Sequence, residues 1–247
     1  LSGTGDSALL AIDVSAVDFG ALFAMANLGD VDARLNGHGE FQPIGLSPSG
    51  SFAFSATSPV PGLDTSLSLD LTGRIDAGAL KVNARSNYGK DLVLVADVAL
   101  PIKPSADSLA NLDREKPLKG RATLNGDLGA LHSAALAYGH DIGGRVDASA
   151  TLAGSLAEPV VTANAKVSNG VYEFGTTGLR LTAIALESSY ADRTLSLKAS
   201  GNSAGNGTVR FGGTLSQEKG KLDADLSRLL VYERNGDIAR LSGKVSL

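Results

Sequence analysis

Thr65-Ser66-Leu67-Ser68-Leu69-Asp70-Leu71-Thr72-Gly73-Arg74-Ile75 decides how this chain is read. Leu67, Leu69, Leu71 and Ile75 fall on one side, while Ser66, Ser68, Asp70, Thr72 and Arg74 fall on the other. A strand that is dry on one face and wet on the other requires this period of two. The same alternation recurs at Leu80, Val82 and Ala84, and at Leu92, Leu94, Ala96, Val98 and Leu100. It returns at Val161, Ala163, Ala165 and Val167, and at Leu195, Leu197 and Ala199. Val209, Phe211, Gly213 and Leu215, then Leu222, Ala224 and Leu226, continue it. Strands therefore dominate, and the expected fold is all-β.

Turn chemistry points the same way. Asn-Gly occurs at Asn36-Gly37, Asn125-Gly126, Asn169-Gly170, Asn206-Gly207 and Asn235-Gly236. Both residues tolerate the positive φ of a type I′ turn, so each pair predicts a hairpin. Consecutive hairpins make an antiparallel meander, and the 30 glycines predict strong local bends in it. Gly20–Leu28 and Leu128–Tyr138 are rich in Ala and Leu and predict short helices. Pro101–Pro117 is polar and broken by proline, and reads as a loop or edge between two halves. The expected organisation is a β-rich segment over 1–100, a polar loop or edge over 101–117, and a second β-rich segment over 118–247. The whole is expected to be one continuous elongated unit. It begins at Leu1 and ends at Leu247 inside strand patterns, without an initiator Met or a leader, so it reads as a piece of a longer protein.

Composition excludes several function classes. Net charge is −4, so no basic field is available to neutralise phosphates. Aromatics make up 5% with no Trp, which leaves little to stack on bases. Nucleic acid is not an expected partner. Cysteine is absent, so neither disulfides nor thiolate metal sites are available. No apolar run approaches the roughly 18–20 residues that span a bilayer as a helix.

Little in the sequence suggests catalysis. His38, His132 and His140 sit far apart, without a carboxylate at motif spacing, and read as isolated turn residues. No Gly-x-Ser-x-Gly elbow surrounds a serine. Gly201–Gly207 is glycine-rich, but no Lys or helix pattern follows as a phosphate cradle requires, so it reads as a strand-turn. Paired carboxylates of a β-helical polysaccharide enzyme remain open, because spacing does not test them. The expectation is a non-enzyme without cofactor or metal.

The informative feature is the apolar face. Its residues are mostly Leu, Val and Ala, with few large rings to plug a core. A sheet that curls without closing exposes a trough of acyl-chain width, worth roughly 25 cal/mol for each Å² it shields from water. An outer-membrane barrel needs aromatic girdles, and 7 Phe, 5 Tyr and no Trp argue against one. A closed sandwich, in which the same residues fill a core, is the competing expectation.

Several stretches carry a family resemblance. They are Leu152-Ala-Gly-Ser-Leu-Ala-Glu-Pro159-Val-Val with Asn169-Gly170-Val-Tyr172-Glu-Phe, then Leu195-Ser-Leu-Lys-Ala-Ser-Gly201 through Gly213-Thr-Leu, then Val231-Tyr-Glu-Arg through Gly243-Lys-Val. With Gly178-Leu-Arg-Leu-Thr-Ala-Ile184 between them, they resemble the repeating pattern of the TamB family from about 126 to 247, and more loosely before that. AsmA-like relatives share this look. The resemblance implies a β-taco: an open, curled groove in a periplasmic protein anchored in the inner membrane of a Gram-negative bacterium. It implies passive conduction of phospholipid toward the outer membrane with a TamA-like Omp85 barrel as partner, and support of nascent outer-membrane proteins. Acyl chains would then pass along Leu67, Leu69, Leu71, Leu80, Val82, Leu92, Leu94, Val98, Leu100, Val161, Val167, Leu195, Leu197, Val209, Phe211 and Leu215. The alternatives are a structural β-solenoid or adhesin-like fragment with a filled core, or a chaperone for outer-membrane protein assembly.

Overall fold

The structure is a computed structural model that describes residues 9–18, 34–42, 49–59, 66–76, 78–105, 108–136, 138–234 and 237–247. The expected helix at Gly20–Leu28 and the Asn235-Gly236 turn lie outside these residues. Alternating sequence becomes strand throughout: β1 Leu10–Asp18, β2 Arg34–Gln42, β3 Ser49–Pro59, β4 Ser66–Asp76 and β5 Ala79–Tyr88. There follow β6 Leu92–Ser105, β7 Ser108–Leu112, β8 Lys119–Asp127, β9 His140–Gly154 and β10 Pro159–Phe174. The last five are β11 Leu179–Ala191, β12 Thr194–Ser203, β13 Gly207–Ser216, β14 Gly220–Arg234 and β15 Asp237–Ser246. They form one antiparallel sheet in chain order, with β7 set aside on β6. The order runs from β1 to β15 without returning, so the sheet is an open meander and not a barrel.

Residues gather into two compact units. One comprises Leu1–Gly89, Val93–Ala122 and Thr151–Val160; the other comprises Lys90–Leu92, Thr123–Ala150 and Val161–Leu247. Buried apolar side chains are few among the described residues: Ile75, Leu92, Ile102, Leu118, Val146 and Leu230. Most of the inward face is therefore half-covered, as an open curl leaves it.

Turns depart from expectation in an instructive way. Asn36-Gly37 and Asn125-Gly126 lie inside β2 and β8, and Asn169-Gly170 lies inside β10. Only Asn206 serves a described hairpin, with φ 59° beside Gly205 at 70°. A two-residue turn is instead built by Asp192 and Arg193 at φ 50° and 58°, between the paired Ala191 and Thr194. Asp tolerates the left-handed region by bonding locally, so the turn needs no glycine. Pro101–Pro117 is only partly loop: β6 runs on through Pro101 to Ser105, and β7 pairs back on it as a short ladder. Leu128–Tyr138 does turn helical, as a 3₁₀ turn Leu128–Leu131 and an α-helix α1 His132–Leu136. Asp127 caps the turn by accepting from the Gly129 amide at 2.7 Å.

Bends in the second unit fall on one transverse line. Register shifts occur in β10 between Val167 and Gly170, in β11 between Thr182 and Ala185, and in β14 between Leu226 and Leu229. Asn169, Ala183 and Arg228 sit at these bulges with φ 51°, 49° and 49°. In β9 the line is met by Gly144, φ 115°, where a Cβ would lie 2.6 Å from the Gly170 Cα. Bulges add twist and bend a sheet. Past this crease β14 leaves β13 and swings back: the Glu233 amide donates to the Thr177 carbonyl at 2.9 Å, and the Leu230 amide to Ser203 Oγ at 3.1 Å. Leu230 is buried to 2% exposure beneath this strap. β14 thereby comes back against β11 and β12, so the curl is visible within the unit itself.

Candidate functional site

Cross-strand register shows what the alternation builds. In the first unit, the row Val14, Gly37, Phe54, Leu71 and Ala84 lies beside the row Ile12, Gly39, Phe52, Gly73 and Val82. Leu10, Phe41, Gly50, Ile75 and Leu80 form the next. No charge stands in these rows. One residue along each strand, the rows turn polar: Asp13, His38, Ala53, Thr72 and Asn83; then Asn36, Ser55, Asp70 and Arg85. A single sheet therefore carries an apolar face and a wet face, as period two demands.

In the second unit, the apolar rows are Val167, Leu186, Ala199, Phe211, Ala224 and Val245, and Ala165, Ser188, Leu197, Gly213 and Leu222. The polar row between them reads Lys166, Glu187, Lys198, Gly212, Asp223 and Ser246. Lys166 pairs with Glu187 at 3.1 Å, and Lys244 with Asp225 at 3.7 Å. Such exposed pairs contribute at most about 1 kcal/mol each and serve mainly to set register. The polar face also holds a hollow of about 530 Å³ whose lining includes Asp147, Asn164, Lys166, Glu187, Ser196 and Lys198. Ala165, Ser188 and Leu197 of the neighbouring apolar row also line it, so the hollow is mostly but not wholly polar.

The sequence-derived lining residues divide between the units. Leu67, Leu69, Leu71, Leu80 and Val82 share the apolar face of the first, with Leu69 the most open of them at 40% exposure. Val98, also in the first unit, packs beside Leu152: a Cβ built on Gly120 would meet Val98 Cγ2 at 3.5 Å and Leu152 Cβ at 3.2 Å. Leu100 is half-buried, whereas Leu94 is exposed. In the second unit Val167, Leu195, Leu197, Val209 and Phe211 are half-buried on the apolar face, Leu215 at its rim is exposed, and Leu92 is buried. Val161 is exposed.

Sequence reading missed the aromatic part of this face. Phe41, Phe52 and Phe54 form a file, with ring centroids 6.5 Å and 5.6 Å apart. Each ring rests on a cross-strand glycine: a Cβ on Gly73 would stand 2.1 Å from Phe52 Cζ, on Gly37 2.0 Å from Phe54 Cδ1, and on Gly50 2.7 Å from Phe41 Cδ1. The signal was available in Phe52-Ala53-Phe54, which alternates, but the glycine partners are set by register alone. Tyr88, opposite Leu67, buries a hydroxyl without a hydrogen-bond partner among the described residues.

The histidines are not isolated turn residues. His38, in β2, holds Asp13 of β1 at 2.6 Å and Glu40 at 3.3 Å. Hydrogen bonding to Asp13, then to Glu40, raises its pKa above the ordinary value. His132 meets Asp141 at 2.7 Å. His140 bonds Tyr172 Oη at 3.0 Å and stacks on Phe174 at 4.9 Å. Among the described residues, no group of His, Asp and Glu side chains converges as metal ligands, and no helix is long and apolar enough to cross a membrane. No family, curated protein or solved structure matches this chain.

Proposed function

We propose that the chain is a non-catalytic periplasmic groove that conducts phospholipid acyl chains between inner and outer membranes. In this reading it supports outer-membrane biogenesis with a TamA-like Omp85 partner. The observation that carries the proposal is the pair of uncharged, half-covered apolar faces, each backed by a mostly polar face in an open sheet. A monomer rarely leaves so much contiguous apolar surface uncovered without a use for it. The resemblance to the TamB family supplies the cargo, the compartment and the partner. The mechanism is passive: acyl chains replace water along Leu67, Leu71 and Val82 in one unit and along Leu195, Leu197 and Phe211 in the other, and headgroups stay in solvent.

A second reading, a structural β fragment whose interior is self-filled, is favoured by the phenylalanines seated on glycines and by the Leu230 strap. Photo-crosslinking separates the two. Probes at Leu71 and Leu197 should capture phospholipid from vesicles several-fold more than probes at Thr72 and Lys198 on the wet face. Equal capture on both faces, or none at Leu71 and Leu197, overturns the groove and leaves the filled interior. In the full-length protein, Leu197→Asp should block lipid transfer while the strand content holds.

A further inference from the structure

Asn36-Gly37, Asn125-Gly126, Asn169-Gly170 and Asn206-Gly207 lie among the described residues, and the fold treats them differently. Asn-Gly is reactive as well as pliant. The glycine nitrogen can attack the asparagine carboxamide, because no Cβ on the glycine crowds the approach. The attack has to swing the Asn-Gly peptide out of its extended conformation, and in the first three pairs the surroundings oppose that motion. Asn36 Oδ1 accepts the Ala16 amide at 2.9 Å, and Gly37 is paired on both sides, with Val14 and with Phe54. Gly126 lies on the backbone of a neighbouring segment, where a Cβ would stand 1.8 Å from the Asp91 carbonyl oxygen. Gly170 is buried, and a Cβ on it would stand 2.8 Å from Ile184 Cβ. Asn206 differs from all three. It is exposed at the tip of the β12–β13 hairpin with φ 59°, and its carboxamide holds no hydrogen bond among the described residues. Gly207 is buried at the head of β13, yet only the end rung it makes with Ser203 has to open to free its nitrogen. End rungs open at lower cost than the middle of a ladder.

We propose that Asn206-Gly207 is a self-modification site, where the folded chain deamidates with age ahead of its other described Asn-Gly pairs. The Gly207 nitrogen bonds to Asn206 Cγ, its proton passes through water to Nδ2, and the Cγ–Nδ2 bond breaks to release ammonia. One water then opens the cyclic imide. Addition at Cγ leaves an aspartate; addition at the main-chain carbonyl leaves an isoaspartate, whose β-carbon has joined the backbone. Either product puts a carboxylate where a neutral amide stood. That charge arises beside Arg240: a Cβ built on Gly205 would stand 2.7 Å from Arg240 Nη2. Arg240 is exposed and has no ion-pair partner among the described side chains. The aspartate form therefore ties the hairpin tip to β15. The isoaspartate form lengthens the main chain at the tip and loosens the rung between Ser203 and Gly207. Neither outcome depends on what the apolar face carries.

The test ages the full-length protein at mildly alkaline pH, both folded and unfolded in urea, and maps its peptides by mass spectrometry. In the folded protein the Asn206 peptide should gain the deamidation mass several-fold faster than the peptides of Asn36, Asn125 and Asn169. In urea the four should convert at similar rates, because the chemistry of the pair is then the same. Labelling by an isoaspartyl methyltransferase should mark the Asn206 peptide, and that mark should vanish in Asn206→Gln. A strand pair that converts as fast as Asn206 in the folded protein, or an unchanged ranking in urea, overturns the proposal. The consequence is read separately. Asn206→Asp should slow amide exchange in β15 by up to about fivefold at low salt, the scale of one exposed ion pair. Arg240→Gln should abolish that difference. Unchanged exchange in β15 of Asn206→Asp overturns the tie to Arg240. Circular dichroism confirms that the variants are folded.

Discussion

Replacing Gly73 with alanine tests whether the phenylalanine file is a seated structure or a loose filling. The added Cβ would stand 2.1, 2.3 and 2.8 Å from Cζ, Cε1 and Cε2 of Phe52. Carbon contacts are comfortable from about 3.5 Å, so the ring must retreat by about 1.4 Å (3.5 minus 2.1). Phe41 and Phe54 flank it, with ring centroids 6.5 Å and 5.6 Å away, and limit that retreat along the file. Forced repacking of this kind costs about 1–3 kcal/mol, and the backbone gains about 0.5–1 kcal/mol from losing a strand glycine. The net expectation is a loss of about 0–2.5 kcal/mol, read as a lower midpoint in urea with an unchanged slope. Far-ultraviolet circular dichroism suits the assay, because the chain has no Trp. Phe52→Leu made in the Gly73→Ala background should recover part of that loss, giving a coupling of about 1 kcal/mol in the double-mutant cycle. Gly212→Ala, whose Cβ would meet only a carbonyl oxygen at 3.6 Å, serves as the control and should be neutral or mildly stabilising. A stabilising Gly73→Ala, or strictly additive effects with Phe52→Leu, would refute the seating of ring on glycine.

Leu230→Ala removes the one fully buried side chain under the strap and should cost about 2–4 kcal/mol. Amide exchange at Glu233, bonded to Thr177, should speed up most. Ala183→Gly relieves a left-handed alanine at φ 49° and should be neutral or stabilising by up to about 1 kcal/mol, whereas Ala199→Gly in the regular part of β12 should destabilise by about 0.5–1 kcal/mol. Because Asp13 and Glu40 raise the His38 pKa, its stabilising contact with β1 is complete below about pH 6.5, the unfolded value, and fades as pH rises through the higher folded value. Amide exchange in β1 should accelerate across that rise, and His38→Gln should flatten the profile. Asp223 behaves in the opposite sense: the Ser246 hydroxyl and Lys221 lower its pKa, so its tie to β15 is lost on acidification. Asp223→Asn should remove that acid-dependent fraying of β15.

The strand skeleton was legible because alternation is a property of each segment by itself. Thr65–Ile75 declares its two faces without knowing its neighbours, and the pairing of β4 keeps Leu67, Leu69, Leu71 and Ile75 on one of them, although Leu69 is exposed and Ser68 half-buried. What could not be read was whatever depends on register. Gly73 looks like a weak point in a strand until Phe52 is set across from it. Asp13 and His38 are 25 residues apart and meet only because β1 and β2 pair as they do. Turns failed for a related reason. Asn-Gly marks a tolerance for positive φ, and the chain uses Asn169 for a bulge inside β10 while making a two-residue turn from Asp192 and Arg193. The strap was hidden because Arg228, the residue at its bend, resembles any other wet-face residue of an alternating strand.

The neighbour-to-neighbour strand order has a kinetic and an evolutionary consequence. Nearly every ladder joins segments adjacent in the chain, so loop-closure costs stay small and folding can spread one hairpin at a time from any stable nucleus. Stability then accumulates along a line, and a local defect frays its own stretch before it unfolds the rest. Growth follows the same rule. Inserting or deleting a whole hairpin preserves both the direction of every later strand and the side to which its leucines point. A lone strand would reverse the direction of everything after it. Length in such a protein can therefore change in steps of two strands, with the inner surface conserved at each step.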